Sequence, residues 1–314
     1  MFNAEDKSGQ RWAVILSGGE GERMRPFITR WLGHHRPKQY CTFTGEKSLL
    51  EEAVGRALGI AQSTQLVTVI GKDHWQHIDG SRRLDLPGRI VEQPANRDTA
   101  AGVFLPLTYV LAEDREATVV LLPSDHFVAD PYRFQRHLRR ALKCAERCPE
   151  RLFLLAAMPE GPEPDYGWLR TEPTEAGDSL LAVSEFMEKP DADTARRFYA
   201  EGCLWNTMVV AGKAATFWEM GWRLIPEVVA RLEALRGVLG TPLEESALRG
   251  IYADMPAANF SRDFLQKIPE RLTAVAMEDV GWSDWGRPER ILQSLRGLRL
   301  QPAFASPEDE LVAA

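Results

Sequence analysis

Cysteine is scarce: four in 314 residues, Cys41, Cys144, Cys148 and Cys203, none in the C-x2-C spacing of a structural zinc site. So few thiols in so long a chain are expected as reduced, buried small residues of a soluble cytoplasmic protein. Long hydrophobic runs are also lacking. Val119 to Leu122 and Leu152 to Ala157 fall far short of the ~20 residues of a membrane span. The apolar stretch behind the polar Met1 to Arg11 ends at Ser17-Gly18-Gly19, too soon for a signal-peptide core. Nor is there surplus positive charge: 38 Lys and Arg stand against 45 Asp and Glu, a net charge of −7. That is the wrong sign for a general binder of nucleic acid or acidic membrane, so a polyanionic ligand would have to be met by a local cluster or a cation. Repeats and low-complexity tracts are missing too, and 44% hydrophobic with 26% charged residues is ordinary globular composition.

What is present, in the first half, is alternation. Trp12 to Leu16, Leu66 to Ile70, Arg89 to Val91, Thr118 to Leu122 and Leu152 to Ala156 read as buried strands, and Leu49 to Leu58, Thr99 to Leu111 and Tyr132 to Ala145 carry helical periodicity. This predicts an α/β fold with a mostly parallel, Rossmann-like central sheet and helices on both faces. After Pro159 two strand-like pieces, Tyr166 to Thr171 and Leu180 to Met187, predict a small antiparallel lobe over the rim. Asp191 to Tyr199 reads as a helix, Thr207 to Ala211 as a strand, Ala214 to Leu239 as helical with a break at Pro226, Leu272 to Met277 as a last strand, and Pro288 to Leu298 as a short helix.

The strongest local feature follows the first strand: Gly18-Gly19-Glu20-Gly21-Glu22-Arg23-Met24-Arg25-Pro26. Glycines after a strand let the backbone turn tightly and present N–H groups to a phosphate, and Arg23 and Arg25 add fixed charge. The dinucleotide fingerprint would need glycine at Met24, and a Walker A loop Gly-Lys-Ser/Thr at Glu22 to Met24; both fail. Glycines alone would fit a ligand-free turn equally well, but the arginines and Pro37-Lys38-Gln39 favour a phosphate loop. His74 and His77 read as surface helix residues. Phe217, Trp218 and Trp222 read as core or subunit-interface packing.

This loop and Arg36-Pro37-Lys38-Gln39 together resemble the signature of the sugar-1-phosphate nucleotidylyltransferases, in particular the mannose-1-phosphate guanylyltransferases. Further matches follow in the family's order: Gln93 to Ala100 (QPANRDTA), Pro123 to His126 (PSDH), Asp165 to Trp168 (DYGW), Phe186 to Pro190 (FMEKP), Trp205-Asn206, and Gly281 to Asp284 (GWSD). The resemblance implies attack by the phosphate of a sugar 1-phosphate on the α-phosphorus of a nucleoside triphosphate, expected to be mannose 1-phosphate and GTP; the alternatives are the same chemistry with another nucleotide or sugar 1-phosphate, or a non-catalytic sugar-nucleotide-binding regulator. It also implies Asp125 and Asp284 as holders of Mg²⁺, Arg23 and Lys38 as catalytic cations on the triphosphate, and Gly18, Gly19, Gly21, Glu92, Asp98 and Thr99 around the nucleotide. Tyr166, Gly167, Glu188, Lys189 and Asn206 would meet the sugar phosphate. Asp98 stands where the family has Asn, and Asp98 or Glu92 is expected near the guanine or ribose.

The nucleophile is already anionic, so no general base is required, and no Ser/His/Asp or Cys/His set is missed. About ten extra residues relative to shorter family members, around Thr29 to His35, are expected to form a lid. Because Gly18 and Asp284 must meet in one site, the expectation is one catalytic domain over 1–296, with the sugar-side lobe at about 159–286 and a tail over 297–314. No nucleic-acid or membrane partner is expected, and a homodimer is compatible with the sequence.

Overall fold

The structure, a computed structural model, describes residues 9–78, 86–174 and 180–304; Met1 to Ser8 and 305–314 of the expected tail lie outside them. The strands are β1 (Arg11–Ser17), β2 (Leu66–Ile70), β3 (Arg89–Glu92), β4 (Thr118–Pro123), β5 (Phe127–Val128), β6 (Leu152–Ala157), β7 (Gly167–Pro173), β8 (Leu180–Glu188), β9 (Leu204–Lys213), β10 (Leu272–Met277) and β11 (Trp282–Ser283). The helices are α1 (Arg25–Leu32), α2 (Leu49–Leu58), α3 (Trp75–Ile78), α4 (Asp98–Glu113), α5 (Pro131–Arg147), α6 (Ala192–Ala200), α7 (Ala214–Leu224), α8 (Pro226–Arg236), α9 (Glu244–Asp254) and α10 (Pro288–Leu298).

Nine strands form one sheet in the order β3-β2-β1-β4-β9-β6-β10-β8-β7. The pairings β3–β2, β2–β1, β1–β4 and β6–β10 are parallel. However, β9 enters antiparallel between β4 and β6, and β8 runs antiparallel to both β10 and β7. The fold is therefore α/β with a mixed sheet, not the mostly parallel one expected: a doubly buried apolar strand reads the same in either direction. β7 and β8 pair antiparallel and continue the same sheet, since β7 also bonds β9 and β8 bonds β10.

Interior strands alternate between two cores. Val14, Val119 and Leu121 face the core built with α4, α7 and α8; Ala13, Ile15, Val120 and Leu122 face that of α2, α5 and α6. Helix starts follow local chemistry. Ser48 and Glu51 close a capping box on α2, and Asp130 caps α5 ahead of Pro131. Phe217 and Trp218 are core residues, whereas Trp222 is exposed.

A third cluster joins the two ends of the chain: Met24, Ile28, Cys41, Phe43, Trp285, Ile291, Leu295 and Phe304. The ring of Trp31 lies 5.4 Å from those of both Phe43 and Phe304. The insert expected as a lid is thus largely the end of α1, anchored by its aromatic residue to this cluster. The expected boundary at 296 falls inside α10, and Phe304 beyond it is buried. All four cysteines are free, and burial pushes the Cys41 thiol up to about 12, which keeps it unreactive. No helix among the described residues is long and apolar enough to cross a membrane.

Candidate functional site

Open α/β sheets place ligands beyond the carboxyl ends of their parallel strands. Here the loops after β1 and β4 border a cleft of about 420 Å³. Gly18, Gly19, Gly21 and Arg23 line it. Gly21 has φ 66°, a left-handed backbone that favours glycine, and a Cβ on Gly18 would lie 2.4 Å from Gln93 Nε2, so that side chain would have to shift. The loop is clamped from below: the Gln39 amide donates to the carbonyls of Ser17 at 3.1 Å and Gly19 at 2.8 Å. His74 lies beneath it too, 2% exposed, with Nδ1 3.1 Å from the Tyr40 hydroxyl. It is not the surface residue expected; its spacing from His77 did not reveal that the start of α3 turns under the glycine loop.

Asp125 follows β4 directly. Asp284 comes from far along the chain, and the device that brings it in is a two-stranded ribbon of β5 and β11. Its register sets Ser283 opposite Phe127 and Trp282 opposite Val128, so the residues just outside the pairs, Asp125-His126 and Asp284, meet at the cleft. Trp285 stacks on Phe127 at 4.2 Å and fixes the ribbon's end. Lys38 sits between the carboxylate segments, 4% exposed. Its Nζ lies 3.0 Å from Asp125 Oδ2 and donates to the main-chain carbonyl of Asp284.

These contacts set the charge states. Enclosure by protein opposes ionisation of Asp125, but Lys38 and His126 outweigh it and hold the carboxyl below its ordinary range. For Asp284, Lys38, Arg290 and the Tyr166 hydroxyl likewise overcome burial and hold it well below that range. Burial pushes His126 down to about 4. The ring is neutral near pH 7, and its Nδ1 accepts from Trp282 Nε1 at 3.2 Å, which leaves the proton on Nε2, 3.7 Å from Asp125 Oδ1.

Asp284 is held asymmetrically. Its Oδ1 accepts from the Tyr166 hydroxyl at 2.7 Å, Gly286 N at 2.9 Å and Arg290 Nη1 at 2.7 Å. Among the described residues its Oδ2 has only Arg23 Nη2 at 3.6 Å as a charged partner. A Cβ on Gly286 would come within 2.4 Å of that oxygen, so glycine keeps the space beside it open. Asp125 and Asp284 are hard oxygen donors of the kind that suit Mg²⁺ and phosphates.

On the opposite wall three strands contribute one row. Gly167 on β7 is in register with Glu188 on β8 and with Asn206 on β9. A Cβ on Gly167 would lie 2.8 Å from Glu188 Oε2 and 3.2 Å from Asn206 Cβ, so only glycine lets the flanking side chains close over it. Burial raises the Glu188 pKa, opposed by Lys189. Lys189 has φ 47° and an exposed side chain whose Nζ is 3.9 Å from Glu188 Oε1. Asp98 and Met208, also at the cleft, have φ 62° and 58°; such backbone strain gathers at functional sites.

The cleft thus brings together Gly18, Gly19, Gly21, Arg23, Asp98, Thr99, Asp125, Tyr166, Gly167, Glu188, Lys189, Asn206 and Asp284, with Lys38 buried against its two aspartates. Glu92 is not part of it. Residues along 92–97 divide between two hollows, Gln93 and Asn96 facing the cleft and Glu92, Pro94, Ala95 and Arg97 a larger one of about 910 Å³. There Tyr109 donates to Glu244 and Arg97 donates to the carbonyls of Tyr252 and Ala253. Thr99 accepts from Phe260 N at 2.8 Å and is engaged in packing. Sequence reasoning missed Gln39, Gln93 and His126 as side chains of the site although all stand inside the quoted motifs. Arg290 was missed entirely; only its place six residues beyond Asp284 on a helix could have signalled it.

A glycine loop, cations and two carboxylates thus meet at one cleft of an α/β sheet. Residues 12–299 match the family model described as nucleotidyl transferase, and the chain belongs to that family. It is 31% identical over 286 residues to the alginate biosynthesis protein AlgA of Pseudomonas fluorescens, covering 87% of this chain and 56% of the relative. It is 25% identical over 287 residues to mannose-1-phosphate guanylyltransferase of Escherichia coli K12, covering 88% and 58%. The chain thus spans a little over half the length of these curated relatives. A solved structure of a mannose-1-phosphate geranyltransferase from Thermus thermophilus superposes with a TM-score of 0.75 at 28% identity, over 88% of this chain and 76% of that one.

Proposed function

We propose that this chain forms GDP-mannose and pyrophosphate from GTP and mannose 1-phosphate, with Mg²⁺ as cofactor, in one catalytic unit that includes all of α10 and Phe304. The observation that carries the reading is the convergence of Lys38, Asp125 and Asp284, from three distant motifs, at the glycine-loop end of the cleft. The names borne by its relatives support the substrates.

The chemistry asks for positioning and charge neutralisation more than for proton transfer. Backbone N–H groups of Gly18 to Gly21 and the Arg23 guanidinium would receive the triphosphate. Lys38, fixed beside Asp125, supplies a buried cation whose attraction for a phosphate oxygen at ~4 Å is roughly 4 kcal/mol at an effective dielectric of 20. Asp125 and Asp284 would hold the Mg²⁺, which when bound supplies positive charge to the α-phosphate and the departing pyrophosphate. Glu188 and Asn206 would bond sugar hydroxyls, and Lys189, on its strained turn, would steer the sugar phosphate toward the α-phosphorus. Asp98 lines this cleft and would lie near the guanine or ribose, whereas Glu92 lines the other hollow.

The test is a Mg²⁺-dependent pyrophosphate-release screen of GTP, UTP, ATP, CTP and dTTP against a panel of sugar 1-phosphates. GTP with mannose 1-phosphate should lead, and UTP or dTTP outperforming GTP would defeat the base assignment. No turnover with any pair would instead make the chain a sugar-nucleotide-binding regulator.

A further inference from the structure

We propose that Arg290 is a positioning residue that locks the Asp284 carboxylate with one oxygen saturated and the other presented to the cleft. The proposal rests on the reading of Asp284 as a metal-holding residue. Arg290 does not line the cleft; its side chain, 13% exposed, lies behind Asp284. Its Nη1 donates to Asp284 Oδ1 at 2.7 Å while Nη2 binds Glu163, and its guanidinium carbon stacks 4.4 Å over the Tyr166 ring. Tyr166 in turn donates its hydroxyl to the same Oδ1 at 2.7 Å. A rigid planar fork with two arms engaged and one face stacked has no rotational freedom left. The carboxylate it grips is therefore fixed in plane, and Oδ2 is left, among the described residues, with the 3.6 Å contact to Arg23 as its charged partner.

The arrangement ties two halves of the site together. Arg290 comes from α10, Glu163 and Tyr166 from the segment leading into β7, and Asp284 from the end of β11, so the metal-side carboxylate and the sugar-side wall share one clamp. Outer partners of this kind orient metal-holding groups. Electrostatics alone predicts the opposite consequence, because a guanidinium beside a metal-holding carboxylate repels the metal and its removal should tighten metal binding. The sign of the effect therefore separates a positioning role from a merely charge-compensating one.

The experiment is a titration of the whole chain with Mn²⁺ in the presence of saturating GTP or UTP, followed by water-proton relaxation enhancement, which reports Mn²⁺ held on the protein. Arg290→Met should weaken that affinity about tenfold or more, and Arg290→Lys, which keeps the charge but not the fork, should also weaken it, by less. Tyr166→Phe removes one donor from Oδ1 without touching Arg290 and should weaken it as well, so the proposal stays testable if Arg290→Met fails to fold by thermal melting. Unchanged or tighter Mn²⁺ binding in folded Arg290→Lys and Tyr166→Phe overturns the proposal while leaving the proposed function standing. Absence of enhancement in the unaltered chain with every nucleotide overturns the proposed function, and this inference with it.

Discussion

At the scale of single residues the site is a set of charges arranged to be satisfied without substrate. Lys38 is the clearest case, a buried ammonium placed where two carboxylate segments converge. Lys38→Met should lower turnover about 10²- to 10³-fold, the size of effect for removing a preorganised charge stabiliser, and steady-state pyrophosphate release would show it. His126 gives a pH prediction. Its folded pKa of about 4 lies below the unfolded value of about 6.5, so the unfolded chain binds more protons between those limits and stability falls as pH drops from 6.5 toward 4. His126→Gln keeps an acceptor for Trp282 and should reduce that slope by about one proton, measured by urea unfolding in EDTA; an unchanged slope would mean that His126 is already protonated in the fold. The residues legible in sequence were those in recognisable strings, such as Asp125 and Lys189. Arg290 stands in no such string, and its importance comes from what lies next to it in space, Tyr166 and Glu163.

At the scale of elements, function is carried by register. Gly167, Glu188 and Asn206 belong to three strands and form one row because β7 pairs with both β8 and β9. Gly167→Ala should push Glu188 and Asn206 apart and raise KM for the sugar 1-phosphate about tenfold or more, while KM for GTP stays near its original value; an equal rise in both would argue against a sugar-side role. The end of α1 is packed on the third cluster through Trp31. Trp31→Ala should cost roughly 1–3 kcal/mol of stability through lost packing, while kcat stays within about twofold. Loss of kcat without loss of stability would restore the lid. The strands and most helices were readable because hydrophobic period is local. The ribbon of β5 and β11 was not, since two residues on each side carry no period.

At the scale of the whole molecule, the antiparallel β9 closes the sheet between β4 and β6. A chain cut before Leu204 would leave two buried strand edges unpaired, so residues 9–203 alone should not give a dispersed, cooperative fold; a fragment with native-like NMR dispersion would contradict this. The third cluster makes the same point from the ends, since α1 and Phe304 meet on Phe43. Chain order alone suggested a parallel domain followed by a lobe and a tail. Spatial order makes one sheet with the cleft at its ligand end.

The sequence by itself determined the longer strands and most helices, but not β5, β11, α1 or α9, together with the glycine loop and the family, because these rest on local period, local backbone freedom and short strings of side chains. Only the tertiary structure decided the direction of β9, the packing of the insert, the burial of His74, the exclusion of Glu92 from the cleft and the clamp of Arg290 on Asp284. Each of those depends on which distant segments lie side by side. Hydrogen-bond register and packing across the chain settle that, and residue type does not encode it locally.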